Sequence, residues 1–387
     1  MIKKVVSIMN SYNHHQSELS KELWNSNNGD YFFIETKKMS EERIKMGWQM
    51  RNIPDYIISS TDVENFNEEI KNLIDHSDVL IYGNIQNKLL RHRQSKSLLT
   101  FKYSERFIKN KKIAFQYPLR VIKYFLETGM NKNTYLLCAS AYASSDFNKV
   151  FQFRNKCFKW GYFPETPQFE NPEEIIKKKE TNSILWVGRF IGWKHPELAI
   201  MVANSLRNNN VDFKLRMIGN GPLFETIKNQ INELNLQNYV ELLGNIDPIL
   251  VQEYMKDSQI LLCTSDFNEG WGAVVNEGMG NACLVIASQA MGSVPFLIKN
   301  NENGLIFDIN NPNDLPSKIE RALSDKNLLS DLSLAAYWTI QNEWNAKIAA
   351  ERLLAISEEI LNNRDPFKLY QTGPGSISLP LKNCWFK

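Results

Sequence analysis

Long apolar runs are missing from this chain of 387 residues. The longest, such as "YLLCA" and "ILLC", fall short of the roughly 20 residues that a membrane helix needs, and "MIKKVVSIMNS" turns polar too soon for a signal peptide. The expected location is the cytoplasm. Cysteine is scarce as well. Cys138, Cys157, Cys263, Cys283 and Cys384 are an odd number without a CxxC pair, and four lie in or beside apolar segments. Neither a disulfide framework nor a zinc site is supported, and reduced, mostly buried thiols are expected. No strand leads into a GxGxxG with an acid about 20 residues on, which argues against a nicotinamide-dependent oxidoreductase.

What is present is enough for two domains of ordinary size: 43% apolar residues and 11% aromatic ones. The net charge of +2 hides a division, since residues 1–165 hold 25 Lys and Arg against 17 Asp and Glu, and the remainder holds 20 against 26. Within the basic half, residues 86–123 carry eleven cations (Lys88, Arg91, Arg93, Lys96, Lys102, Arg106, Lys109, Lys111, Lys112, Arg120, Lys123) and one acid, Glu105. A solvated face and an anionic ligand or membrane surface both fit such a stretch.

Short β-rich runs alternate with amphipathic stretches from end to end, the pattern of parallel sheets with helical crossovers, so the fold class is α/β. Strands are expected at "KKVVSIM", "YFFIET", "VLIYGN", "SLLTFKY" and "TYLLCAS", with helices near 17–27, 62–76 and after 140. A first domain over 1–165 is followed by a proline-rich, charged linker at 166–182 and a second domain over 183–345. The second runs "SILWVGR", a helix opened by Pro196, "FKLRMIG", a helix opened by Pro222, "YVELLGN", a helix near 247–257, "QILLCTS", a helix from about 272, and "CLVIAS". A terminal helix over 346–363, free to pack back toward the first domain, precedes an irregular tail at 364–387. Two such domains leave a cleft, and open sheets bind ligands at the carboxyl ends of their strands.

Chemistry-bearing residues gather at that edge of the second domain. "NEGWGAVVNEGMGNA" sets Glu269 in a glycine-bracketed loop and Glu277 on the helix after it, while Gly270 and Gly272 let backbone approach a ligand. Glu-x7-Glu alone also reads as surface acids capping a helix. "GRFIGWK" places Arg189 and Lys194 after the first strand, where two cations suit a diphosphate. "GNGP", 219–222, follows the next strand.

In order, "WVGRFIGWK", "IGNGPL", "VELLGNI", "LLCTSDFNEGWGAVVNEGMGNACLVIAS" and "NGLIFD" make the second domain resemble the donor domain of family 4 of the nucleotide-sugar glycosyltransferases, with the GT-B arrangement of two doubly wound, Rossmann-like domains facing each other across a cleft. The first half resembles the bacterial capsule, O-antigen and exopolysaccharide transferases through "NSYNHHQSELSKELW", "EERIKMGW", "YSERFIK" and "KWGYFPE".

The resemblance implies that Arg189 and Lys194 hold the donor diphosphate, Glu269 the hydroxyls of the transferred sugar and Glu277 the ribose. Gly219, Asn220, Ile246 and the backbone of Gly270, Trp271, Gly272, Ala273 and Val274 complete the donor site. It implies a retaining, metal-independent hexosyltransferase without a cofactor, a UDP-sugar as the commonest donor, and a first domain that binds the acceptor. Many members carry a glycine-rich loop after their first strand; here "NSYNHHQ" puts His14 and His15 there, facing the cleft, or as plain loop or cap residues. Many also carry a histidine where this chain reads "LLTFKYSERF", so Glu105 stands in for it or pairs with Arg106. The acceptor side is then His14, His15, Lys102, Glu105 and Arg106, and the catalytic set Glu269, Arg189, Lys194, His14 and Glu105. The expected partners are a nucleotide sugar, a glycan or lipid-linked oligosaccharide acceptor and an anionic membrane touched peripherally at the inner face of the cytoplasmic membrane; nucleic acid is not among them. A sugar-nucleotide epimerase, a phosphorylase and a non-catalytic sugar-nucleotide-binding protein are the competing readings.

Overall fold

Strands buried on both faces of a parallel sheet need near-continuous apolar sequence, and "VVSIM", "VLIY" and "SQILLC" supply it. The computed structural model describes residues 2–41, 44, 50, 52–59, 68–85, 89–109, 117–128 and 132–386. They divide into two units, 1–165 with 344–382 and 166–343 with 383–387.

The first unit holds β1 (Val5–Met9), β2 (Tyr31–Glu35), β3 (Ile57–Ser59), β4 (Val79–Tyr82), β5 (Thr100–Ser104), β6 (Thr134–Cys138) and β7 (Cys157–Lys159). Their order is β3-β2-β1-β4-β5-β6-β7 with every pairing parallel. The order reverses between β1 and β4, which pair from Val5 with Val79 to Ile8 with Tyr82. The helix Ala346–Leu361 packs on the helix His14–Ser26 inside this unit. The expected irregular tail carries one 3-10 turn, Pro366–Lys368, and an antiparallel bridge from Ile377 to Phe158.

The second unit holds β8 (Glu180–Val187), β9 (Lys214–Ile218), β10 (Val240–Gly244), β11 (Ser258–Cys263), β12 (Leu284–Ser288) and β13 (Leu305–Phe307), all parallel, in the order β10-β9-β8-β11-β12-β13. Here the reversal falls between β8 and β11. Proline opens the helices Pro196–Asn208 and Pro248–Asp257. Pro222 does not open one: it lies in a turn, and the helix begins at Phe224.

Residues 166–182, expected as a linker, hold the helix Pro172–Lys178 and the start of β8. Asn171 caps that helix by accepting the Glu174 N–H at 3.2 Å, and Pro172 sits at its first turn. One apolar side chain anchors it, Ile176, buried against Ala282 and Tyr337. All five cysteines are free and only Cys384 is exposed. Among the described residues no helix is long and apolar enough to cross a membrane.

Candidate functional site

Where strand order reverses, the crevice beyond the carboxyl ends is open to a ligand. In the second unit the loops there are 188–195 after β8 and 264–273 after β11, and they are fastened to each other. The Asp266 N–H donates to the Trp193 carbonyl at 2.9 Å, and the Thr264 hydroxyl donates to the Lys194 carbonyl at 2.6 Å. Buried Trp186 in turn donates its Nε1–H to Thr264 Oγ1 at 2.8 Å.

On this frame the Lys194 ammonium is ion-paired with the Glu269 carboxylate, the two side chains 17% and 16% exposed. Arg189 is exposed, its guanidinium over the Trp193 ring with the centroid at 5.6 Å. His195 takes a left-handed backbone (φ 48°) and sets Nδ1 2.6 Å from Glu197 Oε1 and Nε2 3.4 Å from Asp266 Oδ2. Hydrogen bonds to Asp266 and then Glu197 raise the imidazole from 6.5 to about 9, against the effect of burial.

Gly272 is left-handed (φ 87°), and a Cβ there would stand 2.5 Å from the end of Met291. Trp271 is buried, donating Nε1–H to Asn276 Oδ1 at 2.8 Å. The helix that follows, Val274–Gly280, starts two residues later than expected. It lies against β11 because residue 278 is glycine: a Cβ would fall 2.2 Å from Leu261 Cδ2. Glu277 on this helix is pushed by burial up to about 7, with the Lys194 charge opposing the rise.

The 219–221 loop after β9 presses on the same frame. Gly219 (φ 126°) passes so near the Gly188 carbonyl that a Cβ would overlap it at 2.0 Å, while the Asn220 carbonyl accepts from Phe190 N–H at 2.9 Å. The structure thus brings together Arg189, Lys194, Gly219, Asn220, Glu269, Gly270, Trp271, Gly272, Ala273, Val274 and Glu277 at one edge of one sheet. Ile246, half-buried, follows the edge strand β10, whose Gly244 carbonyl accepts from the Gly219 N–H at 2.8 Å. His195 and Asp266 were not singled out in the sequence; the histidine directly after Lys194, in "WKHP", was the available signal.

The residues expected on the acceptor side fall in the first unit and are arranged differently from expectation. His14 and His15 open a helix rather than a loop, because Asn13 caps it by accepting the His15 N–H at 3.0 Å. The two rings lie 3.9 Å apart, His15 stacks on Tyr162 at 5.4 Å, and burial lowers the His14 imidazole. Lys102 is buried and ion-paired with buried Glu127, its ammonium 4.9 Å from the Tyr82 ring centroid. Burial holds that ammonium below its usual range, and Glu127 opposes this. Arg106 is also buried; it faces Asp146 at 3.6 Å and the Tyr142 ring at 4.8 Å, not Glu105. Glu105 accepts from the Tyr162 hydroxyl at 2.8 Å and from Lys109 at 3.4 Å. A cavity of about 480 Å³ opens at the carboxyl ends of β1, β4 and β5, lined among others by Asn10, Asn84, Lys102, Glu105, Arg106 and Glu127. Asn84 and Glu127 carry no local motif that would have marked them.

Comparison with known proteins bears on this arrangement. Residues 167–338 match the family described as Glycosyl transferases group 1. This chain carries a glycosyltransferase group 1 domain. The group 1 domain takes in all of the second unit's strands and the whole Lys194–Glu269 frame. An uncharacterised glycosyltransferase of Methanocaldococcus jannaschii is 28% identical over 54% of this chain and 55% of its own length. A Campylobacter jejuni enzyme named for transferring N-acetylgalactosamine to a diphospho-undecaprenol-linked sugar is 30% identical over 38% of each chain. The match thus spans about half the length of these curated relatives, or less. The Anabaena protein HepE, solved in complex with UDP, superposes with a TM-score of 0.66 at 14% identity, covering 93% of this chain and all of that one. With solved glycosyltransferases as neighbours, the two Rossmann-like units have the GT-B fold.

Proposed function

We propose that this protein is a retaining, metal-independent family 4 hexosyltransferase that moves a sugar from a nucleoside diphosphate, most commonly UDP, to a hydroxyl of a lipid-linked polysaccharide precursor at the inner face of the cytoplasmic membrane. The observation that carries this reading is the Lys194–Glu269 pair, with Arg189 beside it, at the strand-order reversal of the group 1 domain. Departure of a nucleoside diphosphate builds negative charge on the leaving oxygen, and cations fixed beforehand lower that barrier most.

An arriving diphosphate competes with Glu269 for the Lys194 ammonium. The exchange frees the Glu269 carboxylate for the hydroxyls of the sugar, while Arg189 offers a planar fork to a second phosphate oxygen. Glu277, near neutrality before binding, accepts from the ribose. The polar cavity of the first unit takes the acceptor. Its charges are largely paired internally, which suits an uncharged glycan, with Glu105 the carboxylate closest to a general-base duty.

A thermal-shift screen of nucleotide sugars tests the donor: ligand at 100 times its dissociation constant should add about 2.7 kcal/mol of stability. Product analysis then separates the alternatives, since an epimerase alters the donor without an acceptor and a phosphorylase responds to inorganic phosphate. Inverted product stereochemistry would overturn the retaining assignment.

A further inference from the structure

The turn that carries Glu269 is built on Asp266. The Asp266 carbonyl accepts from the Glu269 N–H at 3.0 Å, and its Oδ1 accepts from the Asn268 N–H at 2.7 Å and from Asn268 Nδ2–H at 2.9 Å. An aspartate side chain bonded to the backbone two residues on shapes such a turn from within. Asp266 also reaches the other loop, on both sides of Lys194. Its N–H holds the carbonyl of Trp193, the residue before Lys194, at 2.9 Å, and its Oδ2 lies 3.4 Å from Nε2 of His195, the residue after it. The imidazole is held in place from its other nitrogen by Glu197, at 2.6 Å. With His195 raised to about 9 by Asp266 and then Glu197, the contact at neutral pH is imidazolium to carboxylate. Burial raises the Asp266 carboxyl, but hydrogen bonds from His195 and Asn268 outweigh it and hold the group below its ordinary value. One residue thus sets the backbone of Glu269 and grips both chain neighbours of Lys194.

We propose that Asp266 is a positioning residue for sugar transfer: it fixes Glu269 against Lys194, so that an arriving diphosphate takes the ammonium by side-chain rotation while both backbones stay in place. Asp266 acts through Glu269 and not on the donor. The inference rests on the donor role proposed for the Lys194–Glu269 pair and deepens it. Two groups on separate loops keep their geometry only while the loops keep theirs, and a displacement of about 1 Å can cost on the order of 100-fold in rate. The lysine side is anchored apart from the Asp266 carboxylate, because the Thr264 hydroxyl also holds the Lys194 carbonyl, at 2.6 Å, and Trp186 holds Thr264. The Asp266 side chain therefore governs turnover rather than nucleotide affinity.

The test compares Asp266→Ala, Asp266→Asn, His195→Asn and the double variant Asp266→Asn with His195→Asn, in the full chain and well below each melting temperature. UDP affinity is read by calorimetry. Turnover is read as release of UDP, with water as the acceptor, from the nucleotide sugar that stabilises the chain most. Asp266→Ala loses the turn and the histidine contact and should lower kcat on the order of 100-fold. Asp266→Asn keeps the oxygen that accepts from Asn268 and should lower kcat about fivefold at pH 7. Placed on His195→Asn, the same change should add less than about twofold, because the contact it removes is already gone. UDP affinity should hold or tighten throughout, since a displaced Glu269 competes less for Lys194. Early melting of Asp266→Ala with kcat unchanged would make the residue merely structural and overturn the proposal. A fall in UDP affinity that matches the fall in kcat, or an Asp266→Asn penalty that persists in full beside His195→Asn, also overturns it. Wild type that is not stabilised by UDP, or that turns over no nucleotide sugar, overturns the proposed function and takes this inference with it.

Discussion

The two units share a strand order through six strands, yet they handle charge in opposite ways at the point where that order reverses. In the second, Lys194 and Glu269 pair in loops, partly open to solvent, where an anion can take the lysine. In the first, Lys102–Glu127 and Arg106–Asp146 pair in the interior, where neither partner is released without uncovering a buried charge. Topology fixes where a ligand goes. Depth decides whether an ion pair there serves exchange or architecture.

The sharpest way to break this contrast is to remove one member of each pair. Glu127→Ala strands a buried ammonium and should cost about 3–5 kcal/mol of stability, while nucleotide affinity, measured well below the melting temperature, stays as in wild type. Lys194→Ala should do the reverse: melting nearly unchanged, and transfer slowed by about 2.7–4 kcal/mol of transition-state stabilisation, read as kcat/KM. If Lys194→Ala melted early and Glu127→Ala did not, the division between exchange and architecture would be wrong.

Glu277 sharpens the comparison within the second unit. Its folded-state pKa of about 7 stands above the ordinary 4.5, so the stability it confers is complete below 4.5 and is lost as pH rises through 7. Glu277→Gln should melt like wild type at pH 4 and gain on the order of 2 kcal/mol at pH 8, with weaker UDP binding by calorimetry as its functional cost. The smallest effect belongs to His195. Raised from 6.5 to about 9, it contributes stability that is whole below 6.5 and lost as pH climbs through 9. His195→Asn tolerates the left-handed backbone and should lose about 1 kcal/mol at pH 6 and nothing above pH 9.5. Thermal melts across that range decide it.

Most of the strands were legible because each carries a short apolar run, and Pro196 marks a helix start. The grouping of candidate residues in the second unit was legible because they sit in or beside glycine-punctuated loops after β8, β9 and β11. The first unit was harder to read. A count of eleven cations over 86–123 suggested a surface, but Arg93 turns inward to the carbonyls of Ile74 and Ser77 at 2.6 and 2.7 Å, and Lys102 and Arg106 find acids outside that window. Their partners, Glu127 and Asp146, are recognisable only once the sheet has brought them close. Lys88, Lys111 and Lys112, and most of the "EERIKMGW" motif, lie outside the described residues. The helix Pro172–Lys178 was missed because its single buried apolar residue gives no periodic signal.

The return of residues 344–382 to the first unit has a consequence for synthesis. A chain emerges from the ribosome in order, and domains ordinarily finish in that order too. Here the unit begun first cannot lay the helix Ala346–Leu361 against the helix His14–Ser26 until the whole group 1 domain has been made. At about 5–20 residues per second that wait lasts roughly 10–40 s. During it the surface of His14–Ser26 that the later helix will cover stays open, so the nascent first unit is the stage at which a chaperone has most to do.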